Sequence, residues 1–207
     1  ERTGIYEMRK WNYGLVALLT LLLLSSCIVH SSLIFFEKDT VGQPNLLANP
    51  GFEASTDTGG MLPHGWSAMN VDRRLPANIK LDYDTVVEGE NSIRIDASEQ
   101  AVMLVSDAFR VRRYGGYYLR IKTRCSLPRA ERITLRFLTF TNAGKTTNRF
   151  KSTLVTSEEW QSCHISAGFI RETAAFGRIA ILIPQFPEGS IWIDDAGAWD
   201  VHSFRID

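Results

Sequence analysis

Four histidines, three cysteines and a scatter of carboxylates are the groups in this chain that could do chemistry. His30, His64, His164 and His202 are far apart in sequence, with His64 in a Pro-His-Gly turn and His164 in a strand-like run. The carboxylate pairs Asp82/Asp84 and Glu158/Glu159 read as solvated groups, one pair on a strand and one in a turn. No GxSxG, HExxH or phosphate-loop pattern occurs, so no catalytic residue is assigned and the chain reads as a non-enzyme. Cys27, Cys125 and Cys163 form no CxxC pair and lack metal-finger spacing. Cys125 and Cys163 could bond to each other outside a reducing compartment, or stay as buried thiols; both readings stand.

These groups have to be positioned by two kinds of segment. The first is apolar. From Gly14 to Phe36 no residue is charged. About 23 residues at a rise of about 1.5 Å span roughly 34 Å, enough to cross a hydrocarbon core of about 30 Å. Trp11 and Tyr13 stand at one end, Arg9 and Lys10 precede the run, and Glu37, Lys38 and Asp39 follow it. The positive-inside rule then puts the N-terminus in the cytoplasm and the rest of the chain outside a bacterial cytoplasmic membrane. "LSSC", Leu24 to Cys27, also resembles a lipoprotein lipobox, with Cys27 as a lipidated first residue. The apolar run continues through Ile28, Val29 and "SSLIFF", which favours an uncleaved anchor. At membrane depth, His30 and Ser26 are polar: His30 either holds a cofactor metal or bonds a partner helix, a serine or water.

The second kind of segment alternates. "NIKLDYDTVV", "NSIRIDAS", "YYLRIKTRC" and "RITLRFLTF" place apolar residues at every second position, as strands with one buried and one wet face do. Turn residues separate them, at Glu88–Asn91, Tyr114–Gly116, Asn142–Gly144 and Pro187–Gly189. Ten or eleven strands at this spacing predict an all-β sandwich. The expected organisation is residues 1–12 in the cytoplasm, 13–36 as a transmembrane helix, 37–44 as a short linker and 45–207 as an extracytoplasmic sandwich. The 23 Lys+Arg balance 23 Asp+Glu, and this neutrality argues against a nucleic-acid binder.

Several motifs carry a resemblance. "NLLANPGFEAS…PHGWS" resembles the opening of carbohydrate-binding modules found in xylanases and cellulases. Gly89, Ser92 and Ile95 match a later strand of that family, Tyr118 and Arg120 another, and Trp160 a third. Ile191, Ile193, Asp194, Asp195 and Ala196 match its closing strand. The resemblance covers roughly Asn45 to Val201 and implies a jelly-roll β-sandwich, similar to galactose-binding-like domains. On this reading "NLLANPGFEAS" is a first strand and turn, with Phe52 in the core. The resemblance also implies a structural Ca²⁺ near Glu53, Asp194 and Asp195, whose hard oxygens suit that ion; backbone amides or arginines are the other partners those carboxylates could take.

Sugar binders of this kind stack exposed rings on pyranose CH groups. Tyr83, Tyr114, Tyr117, Phe140, Phe186, Trp192 and Trp199 are candidates, Tyr117 falling on an apolar alternation face that reads as core. Trp192 faces opposite to Ile191 and Ile193, so it lies outside the core if they lie inside, and it leads the contact candidates with Tyr83 and Tyr114. No aromatic pair stands out on one exposed face. The expectation is therefore an accessory or assembly subunit of a larger membrane complex, with integral membrane proteins as partners. A membrane-tethered module that binds carbohydrate or cell wall is the alternative.

Overall fold

The computed structural model describes residues 34–53, 62–70 and 78–204. His30, Ser26, Cys27 and the apolar run up to Leu33 lie outside the described residues. Ile34–Phe36 are extended and not helical, and a short 3-10 helix follows at Glu37–Thr40. No helix among the described residues is long and apolar enough to cross a membrane. The expected helix over 13–36 lies almost wholly outside the described residues, and only its last three positions, Ile34–Phe36, are seen to be non-helical. Phe35 is buried, its amide donates to Ser166 Oγ at 2.7 Å, and its ring lies 6.0 Å from that of His202. Glu37 pairs with Arg120. The segment is thus part of the sandwich surface.

Eleven strands occur among the described residues: β1 Trp66–Met69, β2 Ile79–Asp82, β3 Ser92–Ser98, β4 Val102–Ser106, β5 Phe109–Arg110, β6 Gly115–Cys125, β7 Arg132–Phe140, β8 Thr146–Val155, β9 Gln161–Ala167, β10 Phe176–Ile183 and β11 Phe186–Ser203. They form two antiparallel sheets. One is ordered β1-β4-β10-β7-β8, with β5 also on β10; the other is β2-β3-β11-β6-β9. The alternation in the sequence is the cause. In β7, Ile133, Leu135 and Phe137 are fully buried, while Arg132, Thr134 and Arg136 face outward. In β6, Leu119 and Ile121 enter the core and Tyr118, Arg120 and Lys122 take the other face.

Two local expectations are corrected. Asn45–Glu53 form turns, not a first strand, although Phe52 does enter the core, fully buried, with its ring edge-on to Trp66 at 5.1 Å. Burying a ring of that size contributes about 2 kcal/mol. Pro187–Gly189 do not end a strand. They form a register shift inside the 18-residue β11, between Phe186 and Ser190. The extra residues are absorbed as a bulge, which bends a strand without ending its pairing.

Cys125 and Cys163 are free and buried. Both belong to the core cluster, and burial pushes the Cys163 thiol up from its ordinary pKa.

Candidate functional site

The outer faces of the two sheets differ in how their charge is arranged. On the five-stranded sheet, acids and bases alternate across strands and neutralise one another. Lys80 meets Asp96 at 2.7 Å, and Arg94 meets both Asp96 at 2.6 Å and Asp82 at 3.4 Å. Arg120 and Lys122 share Asp195 at 2.6 and 2.9 Å. Burial would push Asp96 up, but Lys80, Ser190 and Arg94 hold it at about 2. Asp82 is likewise lowered: burial opposes the shift, and the Trp192 side chain, the Thr85 and Asp84 amides and Arg94 outweigh it.

Trp192 sits on this face, opposite to Ile191 and Ile193, as its position between them predicts. It is not open. The Arg94 guanidinium lies over its ring at 5.3 Å, and only 9% of the residue is exposed. A sugar could stack there only by displacing Arg94. Further along, Tyr118 stacks on His164 at 5.5 Å and approaches Trp199 at 6.3 Å. Gly197 makes room for the Trp199 ring, which a Cβ would strike. Arg120 covers that ring at 5.5 Å. The segment Ile34–Lys38 borders an open groove of about 650 Å³ beside Tyr118 and His164.

Tyr83 is 69% exposed, in the turn after β2, and Tyr114 lies before β6, 5.3 Å from Phe169. With Trp192 on β11, the three aromatic candidates come from three separate elements.

The carboxylate candidates do come together. Glu53, Asp194 and Asp195 line one pocket of about 360 Å³. Glu53 accepts the Glu90 amide at 3.0 and 3.1 Å and the Asn91 side-chain amide at 3.0 Å. Gly89, at φ +76°, lets it in: any side chain there would collide with the Glu53 carboxylate. Asp194 is fully buried and accepts the Val87 and Asp195 amides at 2.7 and 2.6 Å. Burial pushes its pKa up, against those amides. Asp195, in the same lining, pairs with Arg120 and Lys122. Among the described residues no group of three or more His, Cys, Asp or Glu side chains could hold a metal ion. Glu53 and Asp194 accept amides and Asp195 pairs with cations, so each of the three carboxylates already has a partner inside the protein.

The six-stranded sheet shows the opposite arrangement. Its strands carry Arg110, Arg132, Arg136, Arg149, Lys151 and Arg178, and none of them carries an Asp or Glu. No salt bridge among the described residues involves any of these six. Register puts them together. Arg178 pairs with Leu138 and Leu138 with Arg149; Ala180 pairs with Arg136 and Arg136 with Lys151. Phe140 and Phe176 pair one row away, and Arg110 lies over the Phe176 ring at 5.7 Å. Two grooves border the rows: one of about 510 Å³ beside Arg136, Arg149 and Lys151, the other of about 280 Å³ beside Phe140, Phe176 and Arg178. Sequence reasoning used the alternation of "RITLRFLTF" and passed over its outward arginines. Their signal was present: basic residues at outward positions of three runs that lack any acid.

No protein-family profile matches the chain, and no curated protein does. Solved structures do match. The structure of TmCBM61 in complex with β-1,4-galactotriose is 20% identical, with a TM-score of 0.57 over 76% of this chain and 99% of that one. A family 16 carbohydrate-binding module is 11% identical, with a TM-score of 0.52 over 74% of this chain and 99% of that one. The enzymatically active domain of tailspike protein 4 from bacteriophage CBA120 is 8% identical, with a TM-score of 0.57 over 75% of this chain and 21% of that one. At these identities the shared property is the fold, and the chain is an all-β sandwich of the architecture seen in carbohydrate-binding modules.

Proposed function

We propose that the sandwich is a non-catalytic glycan-binding domain, and that a glycan lies across the outer face of the six-stranded sheet. The observation that carries this reading is a set of exposed arginines and a lysine, in register beside Phe140 and Phe176, whose hydrogen-bonding groups are not used inside the protein. Planar guanidinium forks suit sugar hydroxyls and carboxylates. The likeness to solved carbohydrate-binding modules supports it. The other sheet is a weaker candidate, because Arg94 and Arg120 already cover Trp192 and Trp199 and its bases pair with its acids.

The reading as an accessory subunit of a membrane complex has no observation among the described residues that favours it; residues 34–40 pack on β6, β9 and β11. An extracytoplasmic setting stays part of the proposal, from Arg9 and Lys10 ahead of the apolar run and from where glycans are met.

Affinity electrophoresis of the full chain through gels that carry single polysaccharides tests the reading. Retardation by at least one polysaccharide is expected. Unretarded migration in every gel, with the protein folded, would remove it.

A further inference from the structure

We infer that the ligand of the six-stranded face is an acidic glycan, an extended chain that bears carboxylates of the uronic acid type. The inference rests on the glycan reading above and deepens it. The chain has no net charge, yet charge is segregated between the sheets. The five-stranded sheet holds Asp82, Asp96, Glu188, Asp194, Asp195 and Asp200 against five bases. The six-stranded sheet holds six bases and no acid. Asp107 and Glu131 lie next to its strands, outside them, in segments at strand ends.

Like charges held close on a sheet repel and lower stability unless something compensates. Arg136 and Lys151 are directly opposite on neighbouring strands, about 5 Å apart at the backbone, and Arg178 and Arg149 flank Leu138 at about 10 Å. Nothing within the described residues neutralises them. A ligand with regularly spaced anions would. Five of the six bases are exposed, and Arg136 is half-buried, so the positive field is directed to solvent.

The surroundings select a glycan over other polyanions. A lipid surface would call for apolar side chains to insert. Of the large exposed hydrophobics, Ile34, Phe36, Val41, Tyr83 and Phe169 are on other elements, and only Val155 is on this face. A nucleic acid would call for open rings to stack bases, yet Phe176 is already covered by Arg110.

The test uses the full chain and three immobilised probes: polygalacturonate, the same polymer fully methyl-esterified, and anionic phosphatidylglycerol vesicles. Polygalacturonate is expected to bind about tenfold or more tightly than its ester, and to weaken markedly as salt rises from about 0.05 M to about 0.5 M. Arg149→Gln with Lys151→Gln is expected to lower that affinity about tenfold without lowering the melting temperature, while Lys38→Gln leaves it unchanged. Equal binding of acid and ester, or acid binding untouched by the double substitution, overturns the acidic assignment and leaves glycan binding standing. Binding to vesicles without binding to polygalacturonate also overturns it. Failure to bind any polysaccharide overturns the glycan reading itself.

Discussion

Arg94 lies over the ring of Trp192 and fills the place that a sugar would take on the outer face of the five-stranded sheet. The guanidinium is held by Asp96 and Asp82, so ring, cation and carboxylates form one closed unit. Removing the arginine exposes the indole and leaves two carboxylates short of a partner. Arg94→Ala is expected to destabilise the fold by about 1 kcal/mol and to raise acrylamide quenching of tryptophan fluorescence. That rise should vanish when Trp192 is also changed to Phe. Unchanged quenching would show that Arg94 is not the cover.

The Glu53 carboxylate and Gly89 are a second such pair. Glu53→Ala is expected to cost about 1–2 kcal/mol, because the amides of Glu90 and Asn91 lose their acceptor. Gly89→Ala should cost at least as much, since it adds left-handed strain to a collision with Glu53. Urea denaturation measures both. A double variant less destabilised than the sum would show that the two changes damage one feature.

Acid should weaken the five-stranded sheet. Asp96 stands at about 2 in the fold, since Lys80, Ser190 and Arg94 outweigh the upward push of burial. Its unfolded value is about 3.9, so its contribution is fully present above about pH 4 and disappears as pH falls through about 2. Asp82 is shifted the same way. Asp194 is shifted upward by burial, so its charge opposes folding and its protonation in acid relieves that cost. Asp96→Asn should therefore lower the melting temperature at neutral pH, with the gap to the parent closing between about pH 4 and pH 2. A gap independent of pH would contradict this.

Cys125 and Cys163 are expected to stay unreactive toward thiol reagents in the native protein and to become fully alkylated in denaturant without reductant. Mass mapping of the two peptides reads this. A recovered Cys125–Cys163 disulfide would refute it.

Much of the fold was legible because period-two alternation is a local signal. Ile133, Leu135 and Phe137 enter the core as the pattern requires, and Trp192 takes the opposite face from its isoleucine neighbours. Asn45–Glu53 was misread as a strand because short apolar runs around a turn look the same whether or not their backbone is paired. Pro187–Gly189 was misread as a turn because bulge and turn use the same residues. The site was less legible. Exposure of Trp192 depended on Arg94, which is distant in sequence and opposite in register. The cationic face arises from β5, β7, β8 and β10 meeting across the sheet, which no single run reveals.

Hydrogen exchange of the full chain with and without an acidic oligosaccharide tests the central claim most directly. Ligand-induced protection is expected in the segments of β7, β8 and β10 that carry Arg136, Arg149, Lys151 and Arg178, with β2, β3 and β11 unchanged. Protection confined to the five-stranded sheet, or to the groove beside Tyr118 and His164, would contradict it.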